Sequence, residues 1–317
     1  MSASEAFRSP LLDRPGAVAG DGPDAPVAAH YGSIVAEQRR FEAGGTFVDL
    51  SHRDVLTITG PDRLTWLHDL STQHLRDVVP GVRTSALILS PQGRIEHGFD
   101  LVDDGETTWA HTEPGAAAPL VAFLDRMRFM SRVEVHDVTA EHAVIGLPGL
   151  GWELRPRARL GDVVDELGDP VGSWAWEAAR VAAGRVRIGL DTDDLTIPNE
   201  AGLLEIAVHL DKGCYRGQET VARVHTLGRP PRRLTLLHLD GSVDHLPAIG
   251  SEVTAGDRTV GRIGTSARHH ELGPIALALL KRSVALDAPL LVDGVAAAQE
   301  AVVDPEVGLH VRPALRG

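Results

Sequence analysis

Lys212-Gly213-Cys214-Tyr215-Arg216-Gly217-Gln218-Glu219 sets the chain's single cysteine between two glycines and two basic residues, then closes on an amide and a carboxylate. The thiolate is the reactive form of cysteine, and nearby positive charge favours it. Lys212 and Arg216 stand two residues to either side of Cys214, so an extended strand would put all three on one face. Gly213 and Gly217 permit a tight loop or the close approach of a ligand. A solitary cysteine is otherwise an inert buried hydrophobe. The basic, glycine-flanked setting marks Cys214 as the candidate functional thiol, with Lys212 and Arg216 as its companions. Gln218 and Glu219 make an amide–carboxylate pair able to read the donor and acceptor edge of a heterocycle such as a pterin. They also suit the first turn of a helix, where glutamate is favoured by the macrodipole.

Outward from this stretch the charge is locally basic. Arg223, Arg229, Arg232 and Arg233 follow, and from Lys212 to Arg233 only Glu219 opposes them. Such a cluster reads either as a solvated face or as an anion site. The whole chain carries a formal charge of -13, which argues against non-specific nucleic-acid binding. Upstream, Glu200 in Ile197-Pro198-Asn199-Glu200-Ala201 is a second acidic residue at a loop-to-helix position. The fifteen histidines show no metal-ligand spacing, and His269-His270, adjacent in a strand, are expected to point apart as ordinary surface residues. A Gly-Lys-Ser/Thr phosphate loop, a Gly-x-Ser-x-Gly elbow and a Gly-x-Gly-x-x-Gly fingerprint are all missing, so hydrolase and nucleotide-driven chemistry have no support.

The 317 residues are 43% hydrophobic and 24% charged, an ordinary globular mixture long enough for two or three domains. No apolar run is long enough for a membrane helix. A single cysteine excludes an internal disulfide and suits a reducing, cytoplasmic setting. Residues 1–30, rich in Ala, Pro, Gly and Asp, read as a disordered leader. Ser33–Ala43 then reads as a helix with Ile34, Val35 and Phe41 inward, stopped by Gly44-Gly45. Strands are expected over Phe47–Leu50 and Val55–Thr59, and a helix starting at Pro61. Thr84–Ser90 and Ile95–Val102 pair about the turn Pro91-Gln92-Gly93-Arg94. Thr107–His111, a helix from Pro114 towards Phe129, Val133–Val138, Ala143–Gly146 and a helix around Trp176–Ala183 follow. Strands interspersed with single helices indicate α+β layers. After a linker over Thr226–Pro231 come five short strands: Arg233–Leu239, Glu252–Ala255, Thr259–Ser266, Ile275–Lys281 and Leu290–Val292. These read as a small β-barrel.

With these residues in view, Lys212 to Glu219 resembles the Lys-Gly-Cys-Tyr/Phe-x-Gly-Gln-Glu signature of YgfZ-type folate-binding proteins, in the superfamily of the glycine-cleavage T protein (aminomethyltransferase). Leu50–Gly60 with Pro61-Asp62-Arg63 and Trp66-Leu67, Ser90–Ile95, Arg180–Gly184, Val221–Arg223, Arg232–Leu234, Gly261–Gly264 and 275–282 are similar to further segments of that family. The resemblance runs from about Tyr31 to the C-terminus. It implies two α/β subdomains (31–228) and a C-terminal barrel (229–317), arranged as a ring of three subdomains around a folate pocket. It implies tetrahydrofolate or a polyglutamylated form of it as ligand, with Glu200, Tyr215, Gly217, Gln218, Glu219, Arg223 and Arg233 as its contacts. It also implies a role in assembling or repairing iron–sulfur clusters in client proteins, tRNA-modifying enzymes among them, with no direct nucleic-acid or membrane partner.

One departure separates this chain from the transferases. T proteins carry an Asp pair just after the hairpin glycine, one Asp lying at the reactive folate nitrogen. Here His97 and Gly98 take those positions, and Glu96 and Asp100 are displaced. The resemblance therefore points to an accessory factor without classical turnover. A folate-dependent one-carbon (aminomethyl) transferase is the alternative, and a regulatory protein that has lost its ligand is the third reading. No resident metal is expected.

Overall fold

The computed structural model describes residues 7–307. The chain forms two compact units, each drawn from separated stretches. The first takes the chain up to Gly60, with strands β1 (Val18–Ala19) and β2 (Ala28–His30), helix α1 (Ile34–Ala43), and strands β3 (Val48–Asp49) and β4 (Asp54–Thr59). The second takes 61–103, with α2 (Arg63–Leu70), β5 (Thr84–Leu89) and β6 (Ile95–Asp103). The first resumes over 104–180: β7 (Thr107–Thr112), α3 (Ala117–Arg126), β8 (Glu134–Asp137), β9 (His142–Leu147), β10 (Gly151–Pro156), α4 (Val163–Leu167) and most of α5 (Ser173–Ala182). Apart from residues 269–271, the remainder belongs to the second unit. It carries α6 (Leu204–Ala207), α7 (Gln218–Leu227), β11 (Arg232–Leu239), β12 (Glu252–Ala255), β13 (Arg258–His269), β14 (Gly273–Lys281), β15 (Leu290–Val292) and β16 (Val295–Ala301).

In the first unit β4 pairs antiparallel with β7 and β8, and β9 pairs with β3 and β10. The hairpin partner β10 and the short α4 were not expected from sequence. The expected leader requires correction. Residues 1–6 lie outside the described part, but residues 7–30 are folded: Leu11 is buried with Phe47, Ile145 and Leu160, and Val27, Ala28 and Ala29 are buried too. Backbone bonds from Ser9 to Pro26 and from Gly20 to Val27 close this segment on itself. Its Pro- and Gly-rich composition hides structure that has no period. Helix α1 begins as expected at the Ser33 cap and buries Phe41 as expected, but two polar residues, Glu37 and Gln38, are buried beside it. Glu37 accepts from the Tyr31 and Gly172 N–H groups, while Val35 is exposed. Buried backbone donors need partners, and Glu37 supplies them.

In the second unit β5 and β6 form the expected hairpin, with a bulge at Glu96: Leu89 faces Ile95, and Ile88 faces His97. The six strands β11–β14–β13–β12–β15–β16 close into a barrel around Leu237, Val253, Ile263, Leu280 and Val292. The expected linker over Thr226–Pro231 begins two residues later than read, at Gly228, because α7 runs to Leu227.

Candidate functional site

The Cys214 loop is built by two anchors. On one side, Lys212 is buried, and its Nζ donates to the carbonyls of His68, of Ser71 (2.6 Å) and of Gln73 (3.2 Å). These carbonyls end α2 and begin the loop after it, where a helix leaves acceptors unpaired and favours a cation. On the other side, Tyr215 is buried among Leu87, Leu89, Ile95, Val208 and Val221, and burial pushes its hydroxyl up to about 12. Between these anchors Cys214 is free and exposed. Thr72 ties the approach to the loop, donating to Ala207 O and accepting from Leu87 N–H, while its carbonyl takes the His209 N–H.

Gly217 fixes the exit. It caps α7 at φ 82°, and a Cβ there would lie 2.5 Å from Ser90 O and 2.9 Å from Gly93 Cα. The signature thus rests directly on the hairpin turn between β5 and β6. Gly217→Ala is expected to cost about 2 kcal/mol, from left-handed strain plus backbone displacement. Chemical denaturation of the full chain measures it.

The thiol opens on a cavity of about 240 Å³ lined by His68, Asp69, His74, Arg76, Asp211, Lys212 and Gly213 as well as Cys214. His68 meets His74 edge-on at 4.7 Å, and His74 lies 5.2 Å from His209. Burial, with Lys212, Arg76 and His74 adding their charges, lowers the His68 pKa, so its ring is neutral at pH 7. Burial likewise pulls Lys212 down to about 8. Sequence reasoning missed these histidines, which come from two separated stretches, the end of α2 with the loop after it and the segment around His209.

The other expected site residues divide. Arg216 pairs with Glu96 at 2.8 Å on the surface. Gln218 starts α7, and Glu219 and Arg223 are exposed on it. Glu200 is buried, and its carboxylate is taken by Arg232 and by the Ile197 N–H. Arg233 is fully buried and faces the barrel interior, donating to Thr235, Val284 O and Gln299. Glu200 is thus paired with Arg232, Tyr215 belongs to the core, and Arg233 faces the barrel interior. At the hairpin, a Cβ on Gly98 would meet Ile188 Cγ1 at 2.8 Å, and Asp100 accepts from the Ser85 hydroxyl.

His269 and His270, expected to point apart on the surface, instead lie with ring centroids 4.8 Å apart and side chains 9% and 2% exposed. The strand ends at His269, so strand alternation does not extend to the next residue.

A family profile described as "CAF17, C-terminal beta-barrel domain" matches residues 232–303, the barrel strands. A putative chloroplastic transferase of Arabidopsis thaliana is 24% identical over 70% of this chain, which spans 62% of that relative's length. A mitochondrial iron-sulfur cluster assembly factor IBA57 homolog of Mycosarcoma maydis is 24% identical over 65% of this chain and 61% of its own. Among solved structures, the glycine cleavage system aminomethyltransferase T from Bartonella henselae superposes with TM-score 0.78 at 16% identity, covering 94% of this chain and 97% of that one.

Proposed function

We propose that the chain belongs to the glycine-cleavage T protein superfamily, in the branch of YgfZ- and IBA57-type proteins, and that it is an accessory factor in iron–sulfur cluster assembly or repair with Cys214 as its working thiol, a reading supported by the barrel profile, the relatives and the shared fold. The observation that carries the proposal is the exposed Cys214, held between the buried anchors Lys212 and Tyr215 at a cavity containing two imidazoles. Iron–sulfur clusters take about four protein ligands, mostly thiolates. The chain offers one cysteine. A cluster at Cys214 is therefore cargo shared with a donor or client protein, which supplies the remaining ligands; tRNA-modifying enzymes are among the clients we propose. The neutral His68 ring is in the form that coordinates metal.

The proposal keeps tetrahydrofolate as a ligand, supported by the shared fold, and moves its contacts away from Glu200, Tyr215 and Arg233. In the signature itself, Gln218, Glu219 and, farther along α7, Arg223 are left for that role. Two observations weigh against the alternative of aminomethyl transfer. Ile188 fills the space a side chain at position 98 would need, and Asp100 is engaged by Ser85.

The test is Cys214→Ala. The side chain is exposed, so stability is expected to change by less than about 0.5 kcal/mol, and calorimetric titration with tetrahydrofolate should match the unmodified chain. In a deletion strain the variant should fail to restore cluster-enzyme activity. Full restoration would overturn the role of the thiol. Absence of heat with tetrahydrofolate in both proteins would overturn the folate part alone.

A further inference from the structure

Far along the sequence from Cys214, a second group of ligating side chains lies within the first unit. Glu42 stands in the last turn of α1, His269 ends β13 and His270 begins the turn after it. Glu42 Oε1 lies 3.7 Å from His269 Nε2, and Oε2 lies 3.3 Å from His270 Nε2. One ligand atom from each of the three residues falls within 4.8 Å of the other two. The carboxylate–imidazole separations are long for hydrogen bonds. They approach the edge of a tetrahedron built on metal–ligand bonds of about 2.0–2.1 Å, which is roughly 3.3 Å.

The surroundings hold this arrangement in place. Gln38 sits one helical turn before Glu42, on the same face of α1. Its side-chain oxygen accepts the His270 N–H at 2.8 Å, so one helix face both fixes the backbone of the pair and presents the carboxylate. The two rings lie 30° from parallel, a stacking that costs repulsion if both are charged. His270 Nδ1 is buried without a hydrogen-bond partner. Glu42 is 47% exposed, which leaves the group a path for an ion from solvent. Glu271, 3.8 Å from His270 Nε2, is at hand for a further position.

We propose that Glu42, His269 and His270 bind one divalent transition-metal ion of the Zn²⁺ class, stapling the end of α1 to the end of β13. Two imidazoles and a carboxylate suit zinc, cobalt and nickel better than the all-oxygen cations calcium and magnesium. The site has no thiolate, so it is chemically distinct from the Cys214 cavity.

The experiment uses the full chain, stripped with chelator and carrying Cys214→Ser so that the thiol is silent. Titration with Co²⁺ followed by visible absorption should show saturation at one equivalent, with tetrahedral-type bands and no thiolate charge transfer. Zn²⁺ should displace the cobalt and raise the melting temperature, whereas Mg²⁺ should do neither. Glu42→Gln alters an exposed side chain and should weaken binding about tenfold or more, and His269→Asn about a hundredfold. Binding should weaken as pH falls, because protons compete with the metal for its ligands. His74→Gln, in the separate cluster near Cys214, should leave the titration unchanged. Lack of saturable uptake, uptake insensitive to Glu42→Gln and His269→Asn, or uptake abolished by His74→Gln would each overturn the assignment.

Discussion

Lys212→Met is expected to destabilise the protein by about 3 kcal/mol, because it strands carbonyls that one ammonium now satisfies. Methionine retains the unbranched stem and much of its volume, so the lost contribution is the charged donor and not packing. The His68, Ser71 and Gln73 carbonyls converge on Nζ from the end of α2 and the loop beyond it. Each buried acceptor left unpaired costs about 1–3 kcal/mol, reduced here because the adjoining cavity admits water. The functional consequence should exceed the stability loss. Lys212 is the anchor before Cys214, so its removal frees the thiol loop on one side. Amide-exchange protection should fall over residues 211–216 while the barrel strands stay protected, and restoration of cluster-enzyme activity should fail although Cys214 is intact. A pH series gives an independent check. Lys212 titrates near 8 in the folded protein, against an ordinary value of 10.5. Between those two pH values the unfolded chain keeps a proton that the folded chain releases, so this group's contribution to stability rises with pH across the window. The stability gap between unmodified protein and Lys212→Met should therefore widen from pH 8 to pH 10. A variant as stable as the parent, with its loop protected and function restored, would remove Lys212 from the account.

The history of the basic residues explains what was legible beforehand. The spacing Lys212–Cys214–Arg216 was visible in the sequence, but charge in a sequence does not name its partner. Lys212 turns to backbone carbonyls, Arg216 to Glu96, and Arg233 into the barrel. Most strands and long helices were readable because apolar residues recur at their proper periods, as in β4, β5 and β14. The sixth barrel strand, β16, was not, since Ala296, Ala297 and Ala298 carry no strand preference. Its signal lay in the turn: Asp293-Gly294, with φ values of 50° and 82°, is the two-residue hairpin type that joins β15 to β16. The glycines of the signature were legible as necessary, and their reason is now specific, since Gly217 and Gly93 meet backbone to backbone. The histidines near Cys214 and the pair at 269–270 were illegible because tertiary approach, not spacing, brings them to their neighbours.

Adjacent arginines at the start of β11 illustrate the same limit, and one of them carries the largest expected stability effect. Strand alternation turns Arg233 inward and Arg232 outward, onto the buried Glu200. Arg232 Nε and Nη2 grip the Glu200 carboxylate at 3.0 and 2.8 Å, and Nη1 reaches Asp193 at 2.7 Å. The Arg232 N–H also donates to Glu200, whose own carbonyl accepts the Leu234 N–H, so the pair fastens the first barrel strand to the segment before α6. Arg232→Met leaves Glu200, whose side chain is 1% exposed, as an uncompensated buried charge. Breaking one side of such a pair costs about 3–5 kcal/mol. Burial alone would raise the Asp193 pKa, but hydrogen bonds from Arg232 and Thr196, with the Arg262 charge, hold it well below the usual carboxylate range. A carboxylate with a depressed folded pKa contributes stability above its unfolded pKa, near 3.9, and loses that contribution as pH falls through the folded value. Arg232→Met leaves a buried carboxyl without its partner, and such a group prefers its protonated form, so acid favours the folded variant. The stability gap to the parent should therefore be widest at neutral pH and narrow as pH falls from about 5 towards 3. Urea denaturation at several pH values measures it. A gap that stays constant with pH would show that the variant suffers from lost packing and not from a stranded charge.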